Sequence, residues 1–299
     1  MSSPSGVGRE GSWLKQARKR KVLLIGCGIS KSISPEINKK VYRELCLDID
    51  YGICDIPEES FDSKLKEIGK DESVIGFNVT IPFKEKIIPQ LSSLDAVAKV
   101  VGAVNLVTIS ADRKQFVGYN TDVDGVVASL SKLGLIGRSG QVAVILGSGG
   151  AARACVYSIL MNGFDKVRIV NRTRNRAQEV ALGFARHFPE KKIESVDMTG
   201  PSLKDAMNEA DLVINSIPMT VQIPFEISFL SAPKRLKYLD LKYRRNPPLL
   251  KIAKAAGISS IDGSLMLVEQ AARSFEILTG ISAPRKTMMS AAKRETNRQ

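Results

Sequence analysis

Short apolar runs alternate with amphipathic segments along the chain from about residue 21 onwards. Apolar runs of four to eight residues, bounded by Gly, Pro or Ser, predict buried strands, and apolar positions three or four apart predict helices. In the first part of the chain the predicted strands are KVLLIG, YGICDI and VIGFNVT, and the predicted helices are SPEINKKVYREL, EESFDSKLKEIG and FKEKIIPQL. This alternation of strands and helices predicts an α/β fold.

The pattern restarts near residue 122. AVNLVTIS and QFVGYN predict a pair of neighbouring strands, which the helix TDVDGVVASLSKLG follows. A second series of strands and helices then begins, and the last strong helix is SLMLVEQAARSFEILTG. The strands predicted in this second series are QVAVIL, KVRIVNR, DLVINSI and LKYLDLKY. Two domains with a boundary near residue 122 are therefore expected.

The length and composition are those of a globular protein. The chain has 299 residues, of which 43% are hydrophobic and 25% charged, and this length favours two domains over one. No uncharged apolar run approaches the roughly 18 residues that a membrane span needs. The first residues lack the apolar stretch of a signal peptide. A cytoplasmic location, with no membrane partner, is therefore expected.

The net charge of +13 is concentrated at the ends of the chain. Residues 1–21 carry +5 and residues 285–299 carry +4, which leaves +4 for the rest. Charged chain ends are usually solvated, and no nucleic-acid-binding motif accompanies these, so nucleic acid is a disfavoured partner. Residues 1–20, rich in Ser, Gly and basic residues, are predicted to form a flexible basic arm.

The cysteines and the single histidine restrict the chemistry. The four cysteines include no C-x-x-C pair, so reduced structural thiols are expected, and no metal site is. The only histidine, His187, lies at the polar end of a predicted helix, where a helix-end or surface role is the simpler interpretation. A proton would therefore be carried by Lys, Asp, Glu, Tyr or Cys.

The segment VILGSGGAA combines an apolar strand, a glycine turn and a helix start. In a G-x-G-x-x-A turn the glycines let the backbone approach a pyrophosphate, and the helix N-terminus presents free N–H groups to it. We expect Gly147, Gly149, Gly150 and Ala151 to bind a dinucleotide. An ordinary strand–helix turn is the alternative. A dinucleotide-binding turn requires a strand before it and a helix after it, and both are predicted here.

The next strand ends without an acidic residue. Enzymes that prefer NAD usually place an acid here, bonded to the ribose 2′-hydroxyl. This chain has Asn171, Arg172, Thr173 and Arg176 instead, and guanidinium groups suit a 2′-phosphate. Cations at a helix N-terminus oppose the helix dipole, which favours a bound anion. The sequence therefore predicts NADP(H) as cofactor.

Four clusters of short polar residues precede the glycine turn, each at or near the end of a predicted strand. They are SKSISPEIN, GFNVTIPFKEK, GAVN and GYNTDVDG. Hydroxyl and amide groups gathered in this way suit a small polyhydroxylated ligand. Taken singly, Ser34 and Thr121 are also plausible helix N-caps.

In this order, the motifs resemble those of the shikimate dehydrogenase family. The resemblance runs from about residue 21 to residue 283 and rests on SKSISP, NVTIPFK, VGAVN, NTDVDG, LGSGGAARA, NRT with Arg176, and MLVEQAA. It implies NADP-dependent, reversible reduction of 3-dehydroshikimate to shikimate in the biosynthesis of chorismate and the aromatic amino acids. It also implies a substrate-binding catalytic domain at 21–121 plus 263–299, and a Rossmann-like, doubly wound NADP-binding domain at 122–262.

The resemblance implies roles for individual residues as well. Lys84 and Asp122 would be the catalytic pair, with Lys84 carrying the proton and Asp122 orienting it from the start of a long helix. Met266 would lie near the nicotinamide, on the same helix face as Gln270. The substrate would be bound by Ser32, Ser34, Asn78, Thr80, Asn105, Tyr243 and Gln270. The chain departs from the family pattern at Lys31, at Cys27–Gly28, and in the loops 215–224 and 243–248.

Two other functions stay open from the sequence. A quinate or quinate/shikimate dehydrogenase would share the fold and the catalytic pair, but such enzymes often accept NAD, against which the arginines argue. A non-catalytic NADP- or metabolite-binding protein with basic tails would have no need of Lys84 and Asp122. The oligomeric state also stays open, a homodimer included.

Overall fold

The computed structural model describes residues 19–198, 201–218, 235–243 and 247–298. They form two six-stranded sheets with helices packed on both faces of each, so the predicted α/β fold is confirmed. Most of the predicted arm at 1–20 and parts of the two non-standard loops, at 219–224 and 244–246, lie outside the described residues.

The first sheet is mixed and has the strand order β2-β1-β3-β5-β6-β4. Its strands are β1 (Arg20–Gly26), β2 (Ile49–Asp55), β3 (Val74–Val79), β4 (Ser93–Leu94), β5 (Leu106–Ile109) and β6 (Phe116–Tyr119). Among these described strands, only β5 runs antiparallel to its neighbours, β3 and β6. Because β5 is reversed, its first residue lies at the same edge of the sheet as the last residues of β1, β3 and β6. The four polar clusters predicted from the sequence therefore lie together at this edge of the sheet.

One face of this sheet packs against Phe61, Leu65 and Ile68 and against Phe83 and Ile87, all buried. The helices in this part of the chain are α1 (Ser34–Glu44), α2 (Phe61–Lys70), α3 (Phe83–Lys86) and α4 (Ala96–Val101). The helix predicted over FKEKIIPQL is wrong in length, since α3 ends at Lys86 and only a 3₁₀ turn follows. Pro89, which has no N–H to donate, falls within that turn.

The second sheet is parallel throughout and has the order β12-β11-β10-β7-β8-β9. Its strands are β7 (Val142–Leu146), β8 (Lys166–Asn171), β9 (Lys192–Asp197), β10 (Leu212–Asn215), β11 (Lys237–Asp240) and β12 (Ser259–Ile261). The chain moves outward from β7 to β9 and then returns to the other side of β7 as β10. In open parallel sheets such a reversal of strand order marks a ligand-binding crevice.

Helices cover both faces of the second sheet. They are α5 (Asp122–Lys132), α6 (Gly150–Met161), α7 (Arg174–Ala185), α8 (Pro201–Glu209) and α9 (Pro248–Ala255). One face buries side chains of the first three, such as Leu130, Ile159 and Phe184. The other face buries Leu203 and Leu250 from the last two. The sheet is therefore doubly wound, as predicted.

The chain then returns to the first sheet with α10 (Ser264–Thr279) and α11 (Arg285–Arg298). Phe275 of α10 and Met288 of α11 are buried against Val22 and Val41. The basic residues of α11 are exposed, as expected for the charged end at 285–299, while its apolar positions complete the core. The exact domain boundaries at 121/122 and 262/263 stay predictions, because α5 packs on both α6 and α10.

Three smaller expectations concern helix ends and membranes. Ile33, not Ser34, occupies the N-cap position of α1, while Thr121 does precede α5 but makes no side-chain cap bond. His187 is exposed just past the end of α7, as expected for a helix-end residue. Within the described ranges, no helix combines the length and the apolar character needed to span a bilayer.

Candidate active site

Lys84 and Asp122 form an ion pair in the cleft between the two sheets. Lys84 lies on α3 just after the edge of the first sheet, and its Nζ donates to Asp122 Oδ2. The side chains are 16% and 6% exposed, respectively, so water screens the pair little. Asp122 is the first residue of α5, and the N-terminal end of a helix stabilises a negative charge.

Asn105 fixes the other oxygen of Asp122. It directly precedes β5 and is almost fully buried. Its Oδ1 accepts from the backbone N–H of Thr121 at 2.7 Å, which sets the orientation of the amide. Its Nδ2 then donates to Asp122 Oδ1 at 2.9 Å. Asp122 is thus held from both sides, by Lys84 on one oxygen and by Asn105 on the other.

A cleft of about 370 Å³ opens beside this pair, and all seven residues predicted to bind substrate line it. They are Ser32, Ser34, Asn78, Thr80, Asn105, Tyr243 and Gln270. Met266, predicted to lie near the nicotinamide, also borders this cleft and not the second one, described below. The cleft is also lined by Lys31 and Asn38, which lie in the predicted cluster SKSISPEIN but had no assigned role, and by Tyr51, which sequence reasoning missed.

The loop that carries Ser32 is held by a residue that sequence reasoning missed. Asp55 ends β2, and its carboxylate accepts from the backbone N–H groups of Gly28, Ile29 and Ser30 at 2.7, 3.1 and 3.2 Å. Gly28 has a φ of +69°, a left-handed conformation that favours glycine. The hydroxyl of Ser32 in turn accepts from the N–H of Ser34 at 3.3 Å. The clustered N–H groups around Asp55 thus determine where the two serines lie.

A second cleft, of about 480 Å³, lies at the strand reversal of the parallel sheet. It is lined by all the residues predicted to bind the cofactor except Met266, namely Gly147, Gly149, Gly150, Ala151, Asn171, Arg172, Thr173 and Arg176. Ser216, Ile217 and Pro218, which follow β10, complete it. Thr80, Lys84 and Ala151 line both clefts, so the two meet at Lys84.

The three glycines of the turn differ in what surrounds them. Gly147 has a φ of +108°, and an added Cβ would lie 2.5 Å from Ser216 Oγ, so the turn itself requires glycine. A Cβ on Gly149 would meet nothing within 4 Å, which leaves that backbone open to a ligand. A Cβ on Gly150 would lie 2.8 Å from Lys84 Cβ, so this glycine lets α6 approach α3 closely.

The basic residues after β8 divide into two groups. Arg172 and Arg176 are exposed and line the second cleft, whereas Arg174 pairs with Asp197 at 3.1 Å and does not line it. Asn171, which ends β8, stands where an acid would hold a ribose 2′-hydroxyl. The glycine turn, the free start of α6 and the two guanidinium groups fit a dinucleotide that carries an additional phosphate.

An ion pair joins the two halves of the molecule next to Lys84. Glu85 on α3 lines the second cleft, and its Oε2 lies 3.2 Å from Nε of Arg153 on α6. The far end of Arg153 lies beside Gly102, which ends α4 in a left-handed conformation. Arg153 therefore connects the helix that begins at the glycine turn to both α3 and α4.

Two further ionisable groups near the cleft do not titrate at neutral pH. Burial raises the pKa of the Cys155 thiol far above its usual range; the negative charge of Asp122 adds to this and Lys84 partly offsets it. Burial also raises the pKa of Tyr51 well above its usual range, with a smaller contribution from Tyr42. Both groups stay protonated, so neither adds a charge beside the Lys84–Asp122 ion pair.

Three family profiles match most of the chain. The profile of the shikimate dehydrogenase substrate binding domain matches residues 24–107. The profile named shikimate / quinate 5-dehydrogenase matches residues 130–236, and that of the shikimate 5'-dehydrogenase C-terminal domain matches residues 263–293.

Complete proteins resemble the chain over nearly its whole length. A shikimate dehydrogenase (NADP(+)) from Prochlorococcus marinus subsp. pastoris is 34% identical over 281 residues, which are 90% of this chain and 95% of that protein. The solved shikimate 5-dehydrogenase of Thermus thermophilus in complex with shikimate is 28% identical, with a TM-score of 0.79 over 93% of this chain and 99% of that one. A shikimate dehydrogenase in complex with NADP+ is 27% identical, with a TM-score of 0.82 over 94% and 96% of the two chains.

Proposed function

Since the chain belongs to the shikimate dehydrogenase family, we propose that it catalyses the NADP-dependent, reversible reduction of 3-dehydroshikimate to shikimate. It is thus an oxidoreductase that acts on a CH–OH group, in the pathway to chorismate and the aromatic amino acids. The observation that carries the proposal is the meeting of two clefts at Lys84, one lined by hydroxyls and amides and the other by a glycine turn and arginines.

The second cleft is the proposed binding site of the cofactor. We assign the phosphates of NADP to Gly147, Gly149, Gly150 and Ala151 with the N-terminus of α6, and the 2′-phosphate to Arg172 and Arg176, flanked by Asn171 and Thr173. When bound, NADPH supplies the hydride for the keto carbon. Met266, on the wall of the substrate cleft, is assigned to the space near the nicotinamide.

The proton comes from the chain itself. In the direction of reduction, the Lys84 ammonium donates a proton to the keto oxygen as that oxygen becomes a hydroxyl, and in the direction of oxidation the neutral amine takes the proton back. The Asp122 carboxylate, held by Asn105, keeps the Lys84 Nζ aimed into the place where the clefts meet. Solvent restores the proton on Lys84 after each reduction.

The first cleft is the proposed binding site of the substrate. Ser32 and Ser34 are assigned to the carboxylate, and Asn78, Thr80 and Asn105 to ring hydroxyls. Gln270 and Tyr243 complete the substrate wall, where Gln270 Nε2 also donates to Leu267 O at 2.9 Å. We assign substrate binding to residues 21–121 with 263–299 and NADP binding to residues 122–262. A cytoplasmic location and the oligomeric state stay predictions.

The test is a spectrophotometric assay of nicotinamide reduction with four combinations: shikimate or quinate, each with NADP+ or NAD+. The expected result is the highest kcat/KM with shikimate and NADP+. Preference for quinate with NAD+ would identify a quinate dehydrogenase instead. No reduction in any combination, together with measurable NADP+ binding, would point to the non-catalytic protein.

A further inference from the structure

Three hydrogen bonds to other protein groups fix the amide of Asn78. Asn78 Nδ2 donates to the backbone carbonyl of Asn105 and to Ser274 Oγ, both at 3.2 Å. A carbonyl oxygen can only accept, so the NH₂ end of the amide must face it and Oδ1 must face the other way. There Oδ1 accepts from the Tyr51 hydroxyl at 2.9 Å. Both N–H bonds of Asn78 are thus used within the protein.

The hydroxyl of Ser274 is held from two sides. Ser274 Oγ accepts from Asn78 Nδ2 and lies 2.9 Å from Thr121 Oγ1, a pair in which either hydroxyl can donate. Thr121 can pass its proton to the backbone carbonyl of Gln270 at 3.0 Å. Ser274 and Thr121 are 3% and 1% exposed and lie behind the wall of the cleft. The two buried hydroxyls therefore belong to a network that ends on the backbone carbonyls of Asn105 and Gln270, which can only accept.

Tyr51 completes the arrangement from the sheet. It lies on β2, is 2% exposed and borders the cleft. Its raised pKa keeps the hydroxyl protonated over the working pH range, so it remains a hydrogen-bond donor to Asn78. Among the described residues, one lone pair of Asn78 Oδ1 is then the only hydrogen-bonding capacity that this amide has left for a ligand.

We infer that Tyr51 and Ser274 are positioning residues that hold Asn78 as a hydrogen-bond acceptor, so that the substrate must present a hydroxyl proton to it. The inference rests on the proposed function and adds the chemical requirement at one position of the ring. A keto, ether or fluorine substituent there brings no proton and would set its lone pairs against those of Oδ1. A ligand that lacks this hydroxyl leaves the second lone pair of Oδ1 without a donor, so the site discriminates against it.

The first experiment uses Tyr51→Phe and Ser274→Ala in the full chain. Each removes one hydrogen bond to Asn78, and the KM for shikimate is expected to rise roughly twofold to tenfold. The value of kcat should change less than about twofold and the Kd for NADP+ should not change, because the network does not reach the second cleft. A variant that is only less stable would not raise the KM for shikimate while keeping kcat and the Kd for NADP+.

Matched controls remove similar groups elsewhere. Tyr42→Phe deletes a buried tyrosine hydroxyl that has no hydrogen-bond partner among the described residues. Ser129→Ala deletes a buried hydroxyl that donates only to Gly125 O of its own helix, at 2.9 Å. Both controls should keep the wild-type KM for shikimate.

The second experiment compares shikimate with analogues in which one non-reacting hydroxyl is replaced by fluorine. In the wild type, one of these replacements should raise KM sharply, and this ratio should shrink in Tyr51→Phe and Ser274→Ala. A wild type that turns over shikimate, with variants that retain its KM and its fluorine ratio, would overturn the inference alone. A wild type that does not turn over shikimate would overturn the proposed function and the inference together.

Discussion

The backbone of Gly150 lies directly against the aliphatic stem of Lys84, so close that a Cβ at residue 150 would be 2.8 Å from Lys84 Cβ and 3.1 Å from Cδ. The glycine belongs to the turn assigned to the cofactor, and the lysine belongs to the helix assigned to the chemistry. The close packing of α6 on α3 therefore couples the position of Lys84, the proposed proton carrier, to that of the proposed phosphate site.

Gly150→Ala should consequently lower kcat. The new methyl group forces Lys84 or α6 to shift, and a misplacement on the order of 1 Å can cost up to about a hundredfold in rate. Gly149→Ala is the comparison, because its methyl group would enter open space assigned to the phosphates, so it should raise the KM for NADP+ instead. Steady-state kinetics of both variants test this, and an unchanged kcat in Gly150→Ala would contradict it.

Lys84→Met should lower kcat by at least about a hundredfold, since a positioned general acid–base group contributes roughly 10²–10⁴ in rate. The KM for shikimate should change little, because the hydroxyls and amides of the cleft remain. Lys86→Met is the matched control on the same helix: Lys86 Nζ donates to Glu58 O at 3.0 Å and lines neither cleft. If Lys84→Met keeps a kcat near that of the wild type, another group carries the proton.

Arg172→Asp should weaken NADP+ binding much more than NAD+ binding. A charge-assisted hydrogen bond to phosphate contributes about 1.5–3 kcal/mol, so a loss on the order of tenfold to a hundredfold is expected. Arg174→Asp makes the same charge change two residues away, outside the cleft, and should have a smaller effect. Titration calorimetry with both cofactors measures the difference, and equal losses for NADP+ and NAD+ would remove the argument for a 2′-phosphate site.

Arg153→Ala and Glu85→Gln should each lower kcat/KM by roughly twofold to fivefold, the range of a partly exposed ion pair of at most about 1 kcal/mol. The pair holds α6 to α3 beside Lys84, so the double variant should lose little more than either single one. Lys64→Ala, which breaks an exposed ion pair on α2, is the control. Fully additive losses would show that the two residues act separately.

Sequence reasoning worked best where the chemistry is local. The glycine turn, the arginines after β8 and the cluster around Lys84 each lie within a few residues of one strand end, and strand order alone brings such ends together. Their roles stay predictions, but the glycine turn, Arg172, Arg176 and Lys84 line the clefts, whereas Arg174 does not. Tyr51 and Ser274 could not be anticipated, because Ser274 contacts Asn78 across 196 positions and no local pattern marks either residue.

The same limit explains what was missed in the fold. From the sequence, residues 285–299 are marked only by their charge and no separate helix is predicted there, whereas α11 spans Arg285–Arg298. Its buried contacts come from Met288 and two alanines, Ala291 and Ala292, whose small side chains give a weak amphipathic pattern. Only the presence of the first sheet makes this helix face favourable to bury.

The return of α10 and α11 to the first sheet has a consequence for how the protein folds. The described strands of the second sheet fall within residues 142–261, and the side chains of its core come from the continuous segment 126–266. The first sheet needs Phe275 and Met288 to cover β1, and the Thr287 hydroxyl bonds Glu44 across 243 positions. Contacts of such long sequence separation form slowly. The second sheet should thus form before the first sheet, and pulse-labelled hydrogen exchange would record β7 protected ahead of β1.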